Sequence, residues 1–324
     1  MITRRALLLF ALAPTVARSQ PRRLPVVAFV GFASAEGDRL TVESFRDGMR
    51  AQGEIEGQTW RFVHRHAGGD AARGAAIIRD LAALPVDVFV VPGPAAARAV
   101  RRATTIPLVA VGLPPVVSDP ELFASLSHPG GSVTGFASFG EEMSAKRIEL
   151  LREAIPGLAV IGVMHNASDP TFDAWGRLTE ASATAQGLRA LRVPIAARDP
   201  VLLAERMRGL RAAGGTALVV VRDFLTSSLI AEIVAAAEAE GIAVIGDQAR
   251  FAEAGALLSF GASLPDLFRR AALYVTRILH GEKPGNLPVQ LPTKVEFVVN
   301  LRSASALGIA VPRAILARAD EVIE

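Results

Sequence analysis

The sequence predicts an α/β protein made of two doubly wound parallel-sheet lobes joined by a hinge, and three observations lead to this fold class. Short apolar runs of strand length alternate with longer helical patterns, which is typical of parallel βαβ units. The segment from His128 to Phe136 contains Pro129-Gly130-Gly131, which interrupts any helix and divides the chain into two similar halves. The length of 324 residues, with 51% hydrophobic and 21% charged residues, suits two folded domains.

The dividing segment has two interpretations. Val133 to Phe136 is β-prone enough to form one strand, and we interpret the segment as the first crossing between the lobes. The alternative is a surface turn inside one large sheet.

The first half begins with the continuous apolar run Pro25 to Phe32, which predicts a strand buried on both faces. Asp38 is the predicted cap of a helix that ends near Gly53. The remaining predicted elements of this half are a strand at Trp60 to His64, a helix at Ala71 to Ala83, a strand at Val86 to Val91, a helix at Ala95 to Ala103 and a strand at Pro107 to Val111.

The second half repeats the scheme. Ser263 and Pro265 are a cap and an early proline, which predict a helix that runs to His280. The other predicted elements are helices at Glu141 to Ile155, Thr171 to Gln186, Pro200 to Ala213 and Phe224 to Glu240, and strands at Ala159 to Met164, Leu188 to Pro194, Ala217 to Val221, Ile242 to Ile245, Leu257 to Phe260 and Val295 to Val299.

The positive charge of the chain is concentrated at its start. Residues 1–19 contain Arg4, Arg5 and Arg18 and no acidic residue; without them, Lys and Arg equal the 32 Asp and Glu residues in number. Binding to nucleic acid normally needs a net basic surface, so we expect no nucleic-acid partner.

The same segment predicts an export signal. A basic start precedes the short apolar stretch Ala6 to Ala13, and Ala17 and Ser19 have the spacing that a signal peptidase accepts. We therefore expect residues 1–19 to be removed and the mature protein to be periplasmic, by either the general or the twin-arginine route. The absence of cysteine excludes disulfides and Cys-metal sites.

The common enzyme motifs are missing from the sequence. There is no dinucleotide-binding glycine motif, no phosphate-binding loop and no serine-nucleophile elbow. His64 and His66 would share one face of a strand, as metal ligands can, but exposed strand-end histidines are far commoner. We expect no catalytic residue, no metal and no cofactor.

The candidate binding residues lie in loops that follow strands. Open α/β sheets bind ligands at the carboxyl ends of their strands, and in two lobes such loops would line a shared cleft. For each loop the alternative is a βα turn whose residues serve backbone geometry and capping. The candidates are Ser34, Gly93, Pro94, Ala95, Gly112, Leu113, Phe136, Asn166, Asp223, Phe224, Asp247 and Phe260.

Several ordered motifs resemble one known family over almost the whole mature chain. They are Ser44-Phe45-Arg46-Asp47-Gly48-Met49, His128-Pro129-Gly130-Gly131-Ser132-Val133-Thr134-Gly135, Lys146-Arg147-Ile148-Glu149-Leu150-Leu151, Leu287-Pro288-Val289, Pro292-Thr293-Lys294, Val299-Asn300-Leu301, Ala306-Leu307-Gly308-Ile309 and Ala317-Arg318-Ala319-Asp320-Glu321-Val322-Ile323. The sequence is similar to solute-binding proteins of ABC transporters with the type I periplasmic binding fold, in the group that includes tryptophan- and phenylalanine-binding members.

The resemblance implies a monomer that captures a small organic ligand, such as an amino acid or an aromatic or apolar acid, and delivers it to an inner-membrane permease. It also implies an N-terminal lobe of residues 24–137 and 264–291 and a C-terminal lobe of residues 138–263 and 292–324. A sensor that presents the same domain to a membrane receptor is the alternative. A transcription regulator would carry a DNA-binding module where this chain has its export signal.

Departures from the family pattern concern the ligand. Gly93-Pro94-Ala95-Ala96 lacks a hydroxyl that the family's ligand loop usually carries, Leu113 replaces a common acid, and Phe224 replaces a polar residue. Asp223 and Asn166 match the family. Because apolar groups replace a hydroxyl and a carboxylate, an amino acid ligand is not assumed, and the sequence resembles a less polar branch of the family. We predict that Asp223 faces the cleft and accepts a hydrogen bond from the ligand; the alternative is that it only caps the helix beginning at Phe224.

Overall fold

The computed structural model describes residues 23–113, 122–138 and 141–324, apart from the side chains of residues 141 and 142. The predicted export signal lies outside the described residues. The first part of the chain forms β1 (Val26–Gly31), α1 (Ala35–Ala51), β2 (Arg61–His66), α2 (Ala71–Ala82), β3 (Val88–Pro92), α3 (Gly93–Ala103), β4 (Leu108–Leu113) and β5 (Val133–Ala137).

The second part begins with helix α4 and is longer. Its elements are α4 (Glu141–Ala154), β6 (Val160–Asn166), α5 (Pro170–Ala185), β7 (Arg189–Ile195), α6 (Pro200–Ala212), β8 (Ala217–Val220), α7 (Phe224–Ser228), α8 (Ile230–Ala239), β9 (Ala243–Gly246), α9 (Ala249–Glu253), β10 (Leu258–Ala262), α10 (Leu264–Leu279), β11 (Val295–Asn300), α11 (Leu301–Ala306), α12 (Arg313–Leu316) and β12 (Glu321–Ile323).

These strands form two separate sheets, which confirms the predicted fold class. The first sheet has the order β2-β1-β3-β4-β5 with parallel pairing throughout. The second has the order β12-β11-β10-β9-β8-β6-β7, in which only β10 and β11 pair antiparallel. The alternative of one large sheet is wrong.

The inner strands of both sheets are buried on both faces, because helices cover each side. In β1, Val26, Ala28 and Val30 enter one apolar cluster while Val27 and Phe29 enter the other, as the alternation of a strand requires. This explains why the strand reads as a continuous apolar run in the sequence.

The chain passes between the sheets three times. It leaves β5 for α4, returns from β10 to α10, which packs along α1 and against β4, and leaves again for β11 in the second sheet. Two crossing segments run side by side, because Ala137 donates its backbone N–H to the Gln290 carbonyl at 2.8 Å. The Ser263 N–H reaches the Lys294 carbonyl at 3.2 Å, so the crossings form one hydrogen-bonded hinge.

Four details of the sequence interpretation were wrong. The dividing segment is not itself the crossing, because Val133–Ala137 pairs with β4 as the edge strand of the first sheet. The first helix begins at Ala35, capped by the Ser34 hydroxyl rather than by Asp38. The single helix predicted from Phe224 to Glu240 is interrupted at Leu229, and helix α9 was not predicted.

The described part of the chain contains no helix that is both long enough and apolar enough to span a membrane.

Candidate functional site

A cavity lies between the two lobes, where strands of both sheets end. It has about 680 Å³ of atom-free space, part of which is open solvent at its mouth. Its lining residues are Ala33, Gly37, Asp38, Thr41, Pro92, Gly93, Pro94, Ala95, Val111, Gly112, Phe172, Trp175, Arg222, Asp223, Phe224, Ser227, Gln248, Leu264 and Phe268.

Contacts between the lobes surround this interlobe cavity. Arg98 of the first lobe donates to Asp169 at 2.9 Å and to the Thr171 hydroxyl at 3.2 Å, both in the second lobe. Arg250 of the second lobe donates to the Gly37 carbonyl at 2.9 Å. The Phe32 and Phe224 rings meet edge to face across the gap, with centroids 5.7 Å apart. The structure is therefore a closed arrangement of the lobes.

The wall supplied by the end of β3 is apolar. Helix α3 starts immediately after Pro92, and no side chain caps it. Gly93 has a φ of +75°, which permits this abrupt turn from strand to helix. Pro94 has no N–H and is buried, so the loop offers a ligand mainly hydrocarbon contacts.

Asp38 is a carboxylate in the first-lobe wall of the interlobe cavity. It is 5% exposed, and its Oδ2 lies 3.0 Å from His66 Nδ1. A Cβ on Gly31 would lie 1.7 Å from that oxygen, so only glycine admits the carboxylate here. Burial raises the pKa of Asp38, while the hydrogen bond from His66 and the charges of His66 and Arg250 oppose this rise.

Asp223 caps helix α7 and lines the interlobe cavity. Its Oδ1 accepts from the Thr226 N–H at 2.7 Å and from the Thr226 hydroxyl at 3.0 Å, and its Oδ2 accepts from Asn166 Nδ2. Burial raises the pKa of Asp223 to about 6 despite these hydrogen bonds. The capping role is thus observed, and the contact with a ligand stays a prediction.

Asn166 holds the Asp223 carboxylate from behind. Its side-chain oxygen accepts from the Ser168 N–H at 2.9 Å and from the Ser168 hydroxyl at 2.6 Å, while its nitrogen donates to Asp223. The amide is therefore already used within the second lobe, and we assign it to orienting Asp223.

A polar compartment adjoins the interlobe cavity and shares Trp175 and Arg222 with it. It has about 520 Å³ of atom-free space, including open solvent. Its lining residues are Ser138, Met143, Ser144, Arg147, Trp175, Leu178, Thr179, Val221, Arg222, Asp247 and Ala262.

Charged side chains set the character of the polar compartment. Arg147 Nε donates to the Phe260 carbonyl at 2.7 Å, and Arg222 Nε lies 3.0 Å from Asp247 Oδ2. Burial lowers the pKa of Arg147, the charge of Asp247 raises it, and the charge of Arg222 lowers it. The other oxygen of Asp247, Oδ1, is buried and has no hydrogen-bond partner in the described chain.

The structure brings together most of the predicted binding residues. Asp247 lines the polar compartment, and Asn166 supports Asp223 without lining either space. Those that line the interlobe cavity are Gly93, Pro94, Ala95, Gly112, Asp223 and Phe224.

Four predicted residues lie outside both spaces because packing or capping uses them. The Ser34 hydroxyl accepts from the Gly37 N–H at 3.0 Å, and Leu113 is buried in the core of the first lobe. Phe136 packs against Tyr274 with ring centroids 4.9 Å apart. Phe260 packs against Phe297 at 5.8 Å and contributes only its carbonyl, to Arg147.

The sequence interpretation missed several lining residues. Arg222 directly follows β8 beside Asp223, so the rule on strand ends could have found it. Arg147 lies inside a motif of the family resemblance. Trp175 and Phe172 lie on α5, and an apolar pattern with helical spacing does not show whether such residues line a cavity or belong to the core. Asp38 was missed because the sequence interpretation treated it as a helix cap.

The described residues contain no group of three or more His, Cys, Asp or Glu side chains that could hold a metal ion. His64 Nδ1 and His66 Nε2 lie 3.4 Å apart, and the other nitrogen of His66 contacts Asp38. The apolar walls, carboxylates and guanidinium groups are suited to holding a small organic molecule.

Comparisons with known proteins identify a family and similar folds. Residues 26–323 match the family model described as ABC transporter substrate binding protein. A conserved domain protein from Vibrio cholerae is 27% identical, with a TM-score of 0.84 over 93% of this chain and 100% of that chain. A search of curated proteins found no match.

Two further solved structures share the fold. The ABC domain in complex with L-Trp from Streptococcus pneumonia is 22% identical, with a TM-score of 0.83 over 93% of this chain and 100% of that one. The ligand-free, open structure of CD0873 from Clostridium difficile, a substrate binding protein with adhesive properties, is 22% identical, with a TM-score of 0.65 over 93% of this chain and 99% of that one.

Proposed function

Because the chain belongs to the family of ABC transporter substrate binding proteins, we propose that it captures a small organic ligand outside the inner membrane and delivers it to an ABC permease. The observation that carries this proposal is the cavity between the lobes, which loops from both sheets line. In open α/β sheets such loops form the binding site. The family is described as one of substrate binding proteins, which supports a binding function without catalysis.

Opening and closing of the lobes would control capture and release. The three crossing segments form one hinge, and the contacts of Arg98 and Arg250 bridge the lobes at a distance from it in sequence. A ligand that touches both lobes stabilises the closed arrangement by its differential affinity for that state. The permease would then receive the closed, loaded protein.

The walls of the interlobe cavity favour a ligand with an apolar body. Pro94, Phe172, Trp175, Phe224 and Phe268 supply hydrocarbon and aromatic surface. We propose an amino acid or an aromatic or apolar acid, which agrees with the L-Trp bound to the structural neighbour from Streptococcus pneumonia.

The proposed location is the periplasm, after removal of residues 1–19. The family is normally extracytoplasmic, which supports the assignment. We propose that the mature protein acts as a monomer, without nucleic acid and without a cofactor.

A thermal-shift screen of the mature protein tests the proposal. A ligand present at 100 times its dissociation constant adds about 2.7 kcal/mol to the free energy of unfolding. We expect a small organic acid or amino acid to raise the melting temperature, and the Phe224→Ala variant to lose much of this response. A protein that responds to no small solute would contradict the proposed function.

A further inference from the structure

The polar compartment contains a buried carboxylate oxygen, Oδ1 of Asp247, that lowers the stability of the protein unless a hydrogen-bond donor pairs with it. Asp247 is 5% exposed, yet its Oδ1 has no partner among the described residues. A buried acceptor without a hydrogen bond is unfavourable, and most such groups in proteins are satisfied. Arg222 neutralises the charge of Asp247 through Oδ2 but leaves Oδ1 free. A donor from outside the protein chain would complete this site.

Arg147 supplies the second unusual feature of the compartment. It is 9% exposed and anchored by one nitrogen, Nε, on the Phe260 carbonyl. No described side chain accepts a hydrogen bond from its two terminal nitrogens. A guanidinium held in this way is pre-organised to bind a carboxylate with its remaining donors.

The described side chains that line the polar compartment carry a net positive charge. Arg147 and Arg222 contribute two positive charges, and Asp247 contributes one negative charge. Arg222 also lines the interlobe cavity, so it stands where the polar compartment meets the apolar one. An anionic group placed there would contact a guanidinium while its apolar body remained between the lobes.

We propose that Arg147, Arg222 and Asp247 bind the head group of the ligand, a carboxylate that carries a hydrogen-bond donor on the neighbouring carbon. The two arginines hold the carboxylate, and the free oxygen of Asp247 accepts the adjacent hydroxyl or amino group. This inference rests on the proposed function and adds a specificity site that lies beside the strand-end loops at Gly93 and Asp223.

The two sources of the donor are an α-hydroxy acid and an α-amino acid. Both carry a hydrogen-bond donor next to the carboxylate, which Asp247 would accept, but the hydroxyl is neutral and the amino group is positively charged. Asp223 Oδ2 already accepts from Asn166, whereas the buried Asp247 Oδ1 has no partner among the described residues and can accept from such a group. A simple acid would fill the arginine sites but leave this oxygen unpaired.

Calorimetric titration of the mature protein with two matched series tests the proposal. The aromatic series is hydrocinnamate, phenyllactate and phenylalanine; the aliphatic series is isocaproate, hydroxyisocaproate and leucine. Phenylpropanol and phenylpropylamine are the controls without a carboxylate. We expect the hydroxy or amino acid of at least one series to bind about 10-fold or more tightly than the simple acid, and the controls not to bind.

Three variants locate the head group. Arg222→Met should weaken binding of the best acid by about 10- to 150-fold, the range of one hydrogen bond to a charged group. Arg208→Met, at an exposed arginine of the same lobe, should leave binding unchanged. Asp247→Asn should weaken the hydroxy and amino acids while changing the affinity of the simple acid less than about 3-fold.

Several results would overturn the proposal. Binding of the neutral or cationic controls in preference to every acid would refute the proposal that the head group is a carboxylate, while leaving the solute-binding function intact. A parent protein that binds none of the acids would also refute the proposed carboxylate site. Equal affinity for simple and donor-bearing acids would refute the role of Asp247. An Asp247→Asn variant that weakens all acids equally would show that Asp247 acts only on Arg222.

Discussion

Asp223 is the residue whose role the structure changes most. Its carboxylate caps helix α7 and receives Asn166, so it is satisfied without a ligand. A change to serine would keep a cap but leave the Asn166 nitrogen unpaired at a buried position, which costs about 1 to 3 kcal/mol. Asparagine is therefore the better probe of the carboxylate, because it retains an acceptor and a similar shape.

The pH dependence of stability provides a measurement of Asp223. Its pKa is about 6 in the folded protein, above the ordinary value near 3.9, so the folded state binds more protons and stability falls as pH rises between these values. We expect the parent to gain about 1 kcal/mol in free energy of unfolding between pH 7.5 and pH 5, relative to Asp223→Asn. Urea unfolding at both pH values measures this difference.

His165 changes the pH dependence of stability in the opposite direction to Asp223, so both proteins in the comparison must contain it. It is fully buried, and burial lowers its pKa, so protonation of the unfolded chain removes stability as pH falls below about 6.5. The comparison of parent with Asp223→Asn cancels this effect. Parallel pH profiles for the two proteins would show that the Asp223 carboxylate is already ionised throughout the range.

The position of a single residue in the fold can be predicted when its neighbours in sequence form a recognisable strand or helix. The position of Asp223 and Phe224 beside the interlobe cavity could be predicted, because they follow a buried strand. The position of Asp38 could not, because its contact with His66 joins α1 to the end of β2, and an acid near a helix start reads as a cap. The packing of Phe136 against Tyr274 could not be predicted, because the two residues lie far apart in sequence.

Two helix glycines permit a matched test of packing at the level of elements. A Cβ on Gly176 in α5 would lie 2.6 Å from the His165 ring of β6, whereas a Cβ on Gly209 in α6 would meet nothing within 4 Å. We expect Gly176→Ala to destabilise the protein by about 1 to 3 kcal/mol through overpacking. Gly209→Ala should stabilise it by about 0.5 to 1 kcal/mol, because alanine has the higher helix propensity.

Thermal and urea unfolding of the two alanine variants measure these effects. The substitution is the same in both variants, so changes in the free energy of unfolding that have opposite signs would isolate the contact between α5 and His165. Destabilisation of similar size in both variants would contradict the packing argument.

Whole elements were predicted well where burial made the pattern strong. The continuous apolar runs predicted β1, β3, β4, β8 and β9 because both faces of these strands lie under helices. The break between α7 and α8 was missed because α7 has only five residues; the capping box of Asp223 and Thr226 fixes where this helix begins, not where it ends. Helix α9 has five residues, too few to show a period.

At the scale of the whole molecule, the location of the protein depends on residues 1–19. We expect cleavage after Ser19, which leaves Gln20 as the first residue of protein recovered from the periplasm. Intact-mass spectrometry of the periplasmic fraction measures this. Recovery of the uncleaved chain in the cytoplasmic fraction would refute export.

The last prediction concerns the closure of the two lobes. Arg98 joins α3 to Asp169, the cap of α5, and both side chains are mostly buried, with 17% and 12% exposed. A hydrogen-bonded ion pair of this kind is worth more than an exposed one, which contributes about 0 to 1 kcal/mol. Arg98→Met should therefore shift the ligand-free protein toward the open arrangement.

We expect Arg98→Met to weaken ligand binding by about 10-fold, mostly through faster dissociation. Arg98 lies outside the lining of both spaces, and its bonds to Asp169 and Thr171 join the two lobes in the closed state. Small-angle X-ray scattering should show a larger radius of gyration for the ligand-free variant than for the parent. Arg39→Met, which removes an exposed pair with Glu43 within α1, is the matched control and should change neither quantity. An Arg98→Met protein with the dissociation rate and dimensions of the parent would show that closure is set by the hinge and the cavity walls instead.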